Sequence, residues 1–289
     1  MSGRLPTTLQ YQERLGIGSG TVQRALRELR DEGAMSAVSK GHQGTFITAI
    51  DGPRLWRAAG LQPVHLLLPP YGPPESRRVA RNLARQLAES GAAATVSFER
   101  GAGARFAALT RGEADAAIMS AGAAKDLFPP DGPYLALDAG PGSYYAHGSL
   151  VVVSRRGSKL GAAPRVGIDT TSDDHRRLTA AEFTGHVELV QTNFARLPRA
   201  VIEGTIDVGI WHAVDLLIPL EAAGLEVTQL TKPEAIALAT ELSNAVVVAS
   251  RGTEVGAVLG RIDLEALRAT PPAATDGETW DGEIRLQLT

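Results

Sequence analysis

Gly112-Glu113-Ala114-Asp115-Ala116-Ala117-Ile118-Met119-Ser120-Ala121 returns downstream as Gly204-Thr205-Ile206-Asp207-Val208-Gly209-Ile210-Trp211-His212-Ala213. Each copy places a Gly-x-x-Asp turn ahead of a short apolar run. Glycine tolerates the positive φ of such a turn, aspartate bonds the backbone locally, and the apolar run reads as a buried strand. Asp115 and Asp207 are therefore read as turn-formers rather than catalytic acids. A strand-helix unit precedes each copy, with residues 165–169 as the strand of the second. A phrase of this kind found twice predicts two similar α/β lobes.

Outward from the first copy, Val64–Leu68 reads as a strand stopped by Pro69-Pro70, and residues 75–90 as a helix with Val79, Leu83 and Leu87 on one face. A strand at Ala94–Phe98, a helix near 105–111 and a strand at 114–119 follow. Strands alternating with helices imply βαβ units on parallel sheets. Residues 134–138 and 144–154 are expected to form the first crossing between lobes, and 230–231 the second. Residues 244–249 then return to the first lobe, a helix spans 254–268, and the tail 271–277 reads as a linker. Two lobes joined by crossing strands resemble the type II periplasmic-binding-protein fold, which closes on ligands by hinge motion.

The 289 residues suggest about two folding units at roughly 150 residues each. With 44% hydrophobic and 21% charged residues the chain has the composition of a globular protein. The absence of cysteine excludes disulfides, thiolate metal sites and a cysteine nucleophile. The N-terminal residues lack the apolar core of a signal peptide, and no apolar run reaches membrane-spanning length, so the expected compartment is the cytoplasm without membrane attachment. The net charge of −3 hides an asymmetry. Residues 1–48 carry Arg4, Arg14, Arg24, Arg27, Arg30 and Lys40 against Glu13, Glu28, Asp31 and Glu32, a net of +2 that leaves −5 for the remainder. A basic head on an acidic body is the pattern of a small DNA-binding domain joined to a sensor.

Within that head, Thr7 or Thr8 is placed to cap a helix over residues 8–15, and Gly16 and Gly18 flank a turn. A second helix, 19–32, carries Val22, Ala25, Leu26 and Leu29 as its expected buried stripe and ends at Gly33. Its other side presents Ser19, Thr21, Gln23, Arg24, Arg27 and Arg30. Small donors early and guanidinium groups later suit base edges and phosphates of a major groove. A hairpin with its tip at Lys40-Gly41-His42-Gln43-Gly44 follows. The plainer reading of the arginines is a solvated face paired with Glu28, Asp31 and Glu32.

Leu5-Pro6-Thr7-Thr8, Leu15-Gly16-Ile17, Thr21 through Leu26 with Leu29, Glu32-Gly33-Ala34 and Gly44-Thr45-Phe46-Ile47 together resemble the winged helix of GntR-type bacterial regulators. The resemblance implies that Thr7, Ser19, Thr21, Gln23, Arg24, Arg27, Lys40, His42, Gln43 and Thr45 face operator DNA. Two departures stand out: Gly18-Ser19 replaces the family's Ser-Arg at the helix cap, and only four residues precede Leu5 where the family has a further helix. The expectation is a misassigned start or a shortened head that leans on a partner. Arg100-Gly101-Ala102 with Arg105, Ala136-Leu137 through Gly140-Pro141, Arg165 through Asp169, and Asp207 through Trp211 resemble the YhfZ-like group of regulators, in which a GntR-type head precedes a binding-protein-like domain. That resemblance covers most of the chain and implies architecture and role, but no ligand.

The expected organisation is a winged helix-turn-helix domain over 1–50, a linker over 51–62 and a two-lobed effector domain over 63–289. Lobe I is expected over 63–140 and 232–289, and lobe II over 145–230. Trp56 in the linker is read as packing rather than ligand-binding. Ligands of open α/β sheets sit beyond the C-terminal ends of the strands. There stand Tyr71, Arg100, Arg105, Ser120, Thr170, Thr171, Ser172, Trp211 and His212, with Tyr144 and Tyr145 at the crossing. Arginines clamp carboxylates or phosphates, and hydroxyls at helix starts accompany free N–H groups that favour anions. The same hydroxyls read equally as ordinary caps. Asp173-Asp174-His175 could ligate a metal, but adjacent acids at a helix start are read as complementing its dipole.

The leading expectation is thus a cytoplasmic, ligand-responsive transcriptional regulator, a homodimer on a palindromic operator, sensing a small anionic metabolite without a cofactor. A transport solute-binding protein or an enzyme on the same fold are the alternatives. The head argues against the first. The lack of a Ser-His-Asp set, HExxH or phosphate loop argues against the second.

Overall fold

The computed structural model describes residues 3–70, 72–129, 131–213 and 219–269. The chain divides into two compact units, Met1–Val64 with Ala84–Ala94, and His65–Leu83 with the residues from Thr95 onward.

In the first unit, α1 (Thr8–Leu15) opens with a capping box. The Gln10 amide N–H donates to the Thr7 hydroxyl, and the Thr7 N–H donates back to the Gln10 side chain at 2.8 Å. Gly16, at φ 66°, ends the helix in the left-handed region. α2 (Ser19–Asp31) follows, and the hairpin of β1 (Met35–Ser39) and β2 (Thr45–Ile50) turns through a short 3-10 segment at Gly41–Gln43. The buried centre is Leu5, Val22, Ala34 and Met35. That is too little apolar surface to cover the whole expected stripe of α2: Val22 is buried, Leu26 and Leu29 are half-buried, and Ala25 is exposed. Leu9, Leu15 and Ile17 are likewise exposed.

Residues 51–62, read as a connector, contain a helix. The Asp51 carboxylate caps α3 (Gly52–Ala58) by accepting from the Arg54 N–H, and Pro53 sits in the first turn, where its missing donor costs nothing. The Trp56 indole donates to the Gln62 carbonyl at 2.9 Å, which pins the chain after the helix.

The larger unit is built from two sheets. The chain runs β3 (Val64–Leu68), α4 (Pro74–Glu89), β4 (Ala94–Phe98), α5 (Ala102–Thr110), β5 (Ala116–Ser120), α6 (Ala121–Leu127) and β6 (Tyr134–Asp138). It crosses to β7 (Leu150–Arg155), β8 (Arg165–Ile168), α7 (Asp173–Glu182), β9 (Glu188–Gln191), α8 (Leu197–Glu203), β10 (Val208–His212), β11 (Leu225–Gln229) and α9 (Pro233–Glu241). It returns through β12 (Ala245–Ser250), α10 (Glu254–Leu259) and α11 (Leu264–Arg268). The strand orders are β4-β3-β5-β12-β6 and β9-β8-β10-β7-β11. In each sheet the chain's own strands are parallel at the centre, and the strand arriving from the other lobe lies antiparallel beside them. This is the two-lobed α/β fold of type II periplasmic-binding proteins, preceded by a helix-turn-helix unit.

The repeated aspartates do the same job in both lobes. The Asp115 carboxylate accepts from the His65 N–H and the Asp115 N–H donates to the His65 carbonyl. Asp207 does likewise with Arg165, at 2.8 Å in each direction. Each aspartate clips the starts of two neighbouring parallel strands. The sequence reads them as turn-formers; their bonds reach instead to a neighbouring strand.

Two elements differ from expectation. The return crossing falls near Ser243, whose carbonyl accepts from the Tyr144 and Tyr145 N–H groups, and not at 230–231. α9 instead packs on lobe II, where Ala235, Leu238 and Ala239 join Leu150, Leu178 and Ile210. The helix expected over 254–268 is broken in two. Its second half, α11, restarts with Asp263 as N-cap, accepting from the Glu265 and Ala266 N–H groups.

Candidate functional site

In the first unit a groove is lined by Arg4, Leu5, Pro6, Thr7, Thr8, Gln23, Leu26, Arg27, Arg30, Gly44 and Thr45. Four of the expected DNA-facing residues, Thr7, Gln23, Arg27 and Thr45, meet there because α1 starts beside the middle of α2 and the first residue of β2. Gly44, at φ 97°, lets the Arg4 guanidinium lie where a side chain would be. Arg4 and Arg30 raise the groove's arginines to three; Arg30 lies on the side of α2 read from the sequence as suited to a major groove, whereas Arg4 figured there only in the charge balance. Ser19, Thr21 and Arg24 are exposed on α2 outside the groove, with Arg24 near Glu28 at 4.0 Å. Lys40 lies over the Phe46 ring at 5.0 Å, and His42 and Gln43 stand exposed at the hairpin tip.

In the larger unit a cleft of about 130 Å³ lies between the lobes. Of the expected ligand contacts, Arg100, Arg105, Tyr144, Thr171 and Ser172 line it. Ser120 stands one contact behind the wall: it caps α6 and donates its hydroxyl hydrogen to Asp174 at 2.5 Å. Thr170 turns away to donate to the Gln191 side chain at 2.7 Å. Tyr71 lies outside the described residues. Trp211 and His212 are off the cleft. Trp211 belongs to the core between β10 and α8, and His212 packs among the rings of Trp211, Phe194 and Tyr145. Burial pushes His212 down to about 4, with Arg77 acting in the same direction, so it is neutral.

Arg105 in the cleft wall is 2% exposed, as deeply buried as Asp169. One of its terminal nitrogens donates to the Glu99 carbonyl at 2.8 Å, while among the described residues its Nε has no partner and no carboxylate pairs with it. The Tyr144 hydroxyl lies next to it. Burial pushes Tyr144 up to about 12 and Tyr145 well above its usual value, so both phenols remain neutral hydrogen-bond donors.

Across the cleft, Asp169 accepts from Arg100 at 2.6 Å, from the Thr171 hydroxyl and N–H, and from the Phe194 N–H. Burial alone would raise its pKa, but these donors outweigh it and hold the carboxyl below the usual range. His175 accepts from the Asp169 N–H on Nδ1, so its Nε2–H faces the Ile210 carbonyl at 2.9 Å. Burial keeps it neutral. Asp173 pairs with Arg176 on the solvent side. Asp174, read as a surface acid, instead joins the cleft wall with its Oδ1 buried and unpartnered. The sequence signal for this placement is helical spacing, since Asp174 shares a face with buried Leu178. Asp173, Asp174 and His175 thus point to different partners, and no metal-binding group of three is found among the described residues.

A helix-turn-helix unit together with a two-lobed, binding-protein-like domain whose cleft holds buried charge is the organisation of a DNA-binding regulator with a ligand-binding domain. The YhfZ C-terminal domain family matches residues 51–271, and a helix-turn-helix domain family matches residues 2–47. The chain belongs to the YhfZ family. It is 29% identical over 242 residues to the uncharacterized protein YhfZ of Escherichia coli K12, spanning 82% of this chain and 77% of that one. The crystal structure of YhfZ from Shigella flexneri is similar at a TM-score of 0.53 and 25% identity, covering 75% of this chain and 91% of that one.

Proposed function

We propose that the chain is a cytoplasmic transcriptional regulator that binds operator DNA as a homodimer and releases or engages it when a small anionic metabolite occupies the interlobe cleft. The observation that carries the reading is Arg105, a guanidinium buried in the cleft with its Nε unpartnered and no counter-ion among the described residues. An uncompensated buried cation is costly, so a site that keeps one is built for an anion that arrives from outside. Control then requires only that the anion bind one lobe arrangement better than another.

On the DNA side, the groove of Arg4, Arg27 and Arg30 with Thr7, Gln23 and Thr45 supplies phosphate-binding cations beside short donors. One such head covers little duplex, which favours a symmetric pair on a palindrome. The test is a mobility-shift titration of the full chain against DNA upstream of its own gene, at several salt concentrations. A sequence-specific, salt-sensitive complex is expected, and Arg27→Ala should weaken it about tenfold and lower the salt slope by about one. The absence of any specific complex sinks the DNA reading.

A further inference from the structure

Among the described residues, five charged side chains line the cleft: Arg100, Arg105, Asp169, Asp173 and Asp174. Three are already answered. Arg100 and Asp169 pair with each other at 2.6 Å, and Asp173 pairs with Arg176. The nearest cation to Asp174 on its own helix, Arg177, is taken by Asp126 at 2.9 Å and faces Glu241 at 4.0 Å. His175 is neutral, with both ring nitrogens bonded. What remains is one cation on lobe I, Arg105 with its free Nε, and one carboxylate on lobe II, Asp174 with its free Oδ1. They influence each other electrostatically, yet they form no ion pair.

Two leftover charges of opposite sign on facing walls define a ligand with two charges of its own. We propose that the effector is a compact zwitterion, its oxyanion held by Arg105 and the Tyr144 hydroxyl and its protonated amine held by Asp174. The rest of the wall agrees with both ends. The faces of Tyr144, Tyr145 and Phe194 attract an ammonium group, and the cleft's small volume admits few heavy atoms between the charges. A simple anion would leave Asp174 unanswered, and a simple amine would leave Arg105 unanswered. Because each lobe contributes one of the two charges, such a ligand also favours closure more than either half alone. The shared chemistry is a primary amine and an oxyanion on a short chain. Carboxylate, sulfonate or phosphonate could each supply the oxyanion.

This inference rests on the reading of the cleft as an anion site, so the experiment separates the two. Calorimetric titration of the full chain at pH 7.5 uses matched probes: β-alanine with propionate, taurine with ethanesulfonate, 2-aminoethylphosphonate with ethylphosphonate, and ethylamine alone. In at least one pair the amine-bearing member is expected to bind ten or more times tighter than its partner. Asp174→Asn should erase that advantage and leave the anion-only affinity in place, whereas Arg105→Met should remove both. If Arg105→Met fails to fold, Arg105→Lys keeps the charge, loses the planar fork and should weaken every anion. Equal binding of the two members in every pair, unaffected by Asp174→Asn, overturns the zwitterion and leaves the anion reading standing. Binding of ethylamine as tightly as any zwitterion, indifferent to Arg105→Met, overturns both. So does the failure of every probe to bind.

Discussion

The two lobes share a strand order and a turn motif, yet they fill and arm that frame differently. Position for position, Ala108, Leu109, Ala114 and Met119 of lobe I correspond to Ala200, Val201, Ile206 and Trp211 of lobe II, and both sets lie in core clusters. In the strands, however, Leu67 and Ala117 of lobe I correspond to Gly167 and Gly209 of lobe II. Lobe II moves the missing volume onto its helix: Leu197 of α8 is fully buried and sits against Gly209, where an added Cβ would stand 2.7 Å from the leucine Cδ1. The strand ends differ more. Lobe I ends β3 in Pro69-Pro70 and offers a cation, Arg105, while lobe II ends β8 in Asp169-Thr170 and offers carboxylates. Repetition conserves backbone hydrogen bonding and total volume. The chemistry lies in loops and helix starts, which the frame leaves open to vary.

The volume exchange yields the largest expected effect. Leu197→Ala should cost about 2–5 kcal/mol by opening a cavity over two glycines, and Gly209→Ala alone about 1–3 kcal/mol by overpacking. Combined, the two should cost less than their sum, because the new methyl fills part of the space the leucine vacates. Denaturant unfolding measures all three. Strict additivity would break the claim that helix volume in lobe II replaces strand volume in lobe I.

Next comes the odd carboxylate. Burial raises Asp174 to about 6, against the pull of the Ser120 hydroxyl, Arg177 and Arg105, with Asp173 adding a smaller push upward. Tyr144 and Tyr145 face it as neutral groups. A carboxyl whose folded value lies above its unfolded value near 3.8 destabilises the fold increasingly as pH rises from about 4 through about 6. Without ligand, Asp174→Asn should therefore match the parent at pH 4 and exceed it at pH 7–8 by on the order of 2–3 kcal/mol. Equal pH profiles of the two proteins by thermal unfolding would show that lobe II stores no such strain.

Much of this frame was legible in the sequence, because its signals are local. The Gly-x-x-Asp phrase, proline stops and apolar runs located the strands of both copies, and Thr7, Gly16 and Gly33 marked the helix ends of the first unit. The site was less legible. Strand β10 is buried along its whole length, so no polar alternation tells which face Trp211 takes, and its indole went to the core. Adjacent acids at a helix start look alike, although of these two cleft residues Asp173 is exposed and paired with Arg176, whereas Asp174 keeps a buried, unpartnered oxygen. Arg105 was legible as a cation near a glycine-rich turn. Its lack of a counter-ion among the described residues belongs to tertiary packing alone.

The smallest expected difference separates the two clips. Asp115 holds the start of β3 by accepting one N–H, whereas Asp207 also takes both arms of Arg165, at 2.6 Å and 3.3 Å. Those bonds from Arg165, side chain first and backbone second, hold the Asp207 carboxyl below its usual value. For a depressed carboxyl the stability is present above the unfolded value near 3.8 and is lost as pH falls below it. The Asp207–Arg165 pair is more than a third exposed on both sides, so solvent screens most of its Coulomb energy. Asp207→Asn should therefore cost about 1–2 kcal/mol at pH 7 and progressively less as pH falls below about 4, and Asp115→Asn about 1 kcal/mol. The gap between the two variants should narrow in high salt, because only the lobe II clip contains an ion pair. If Asp115→Asn proved the costlier change at neutral pH, the extra arginine of lobe II would be ornament, and the backbone bond common to both repeats would account for the whole clip.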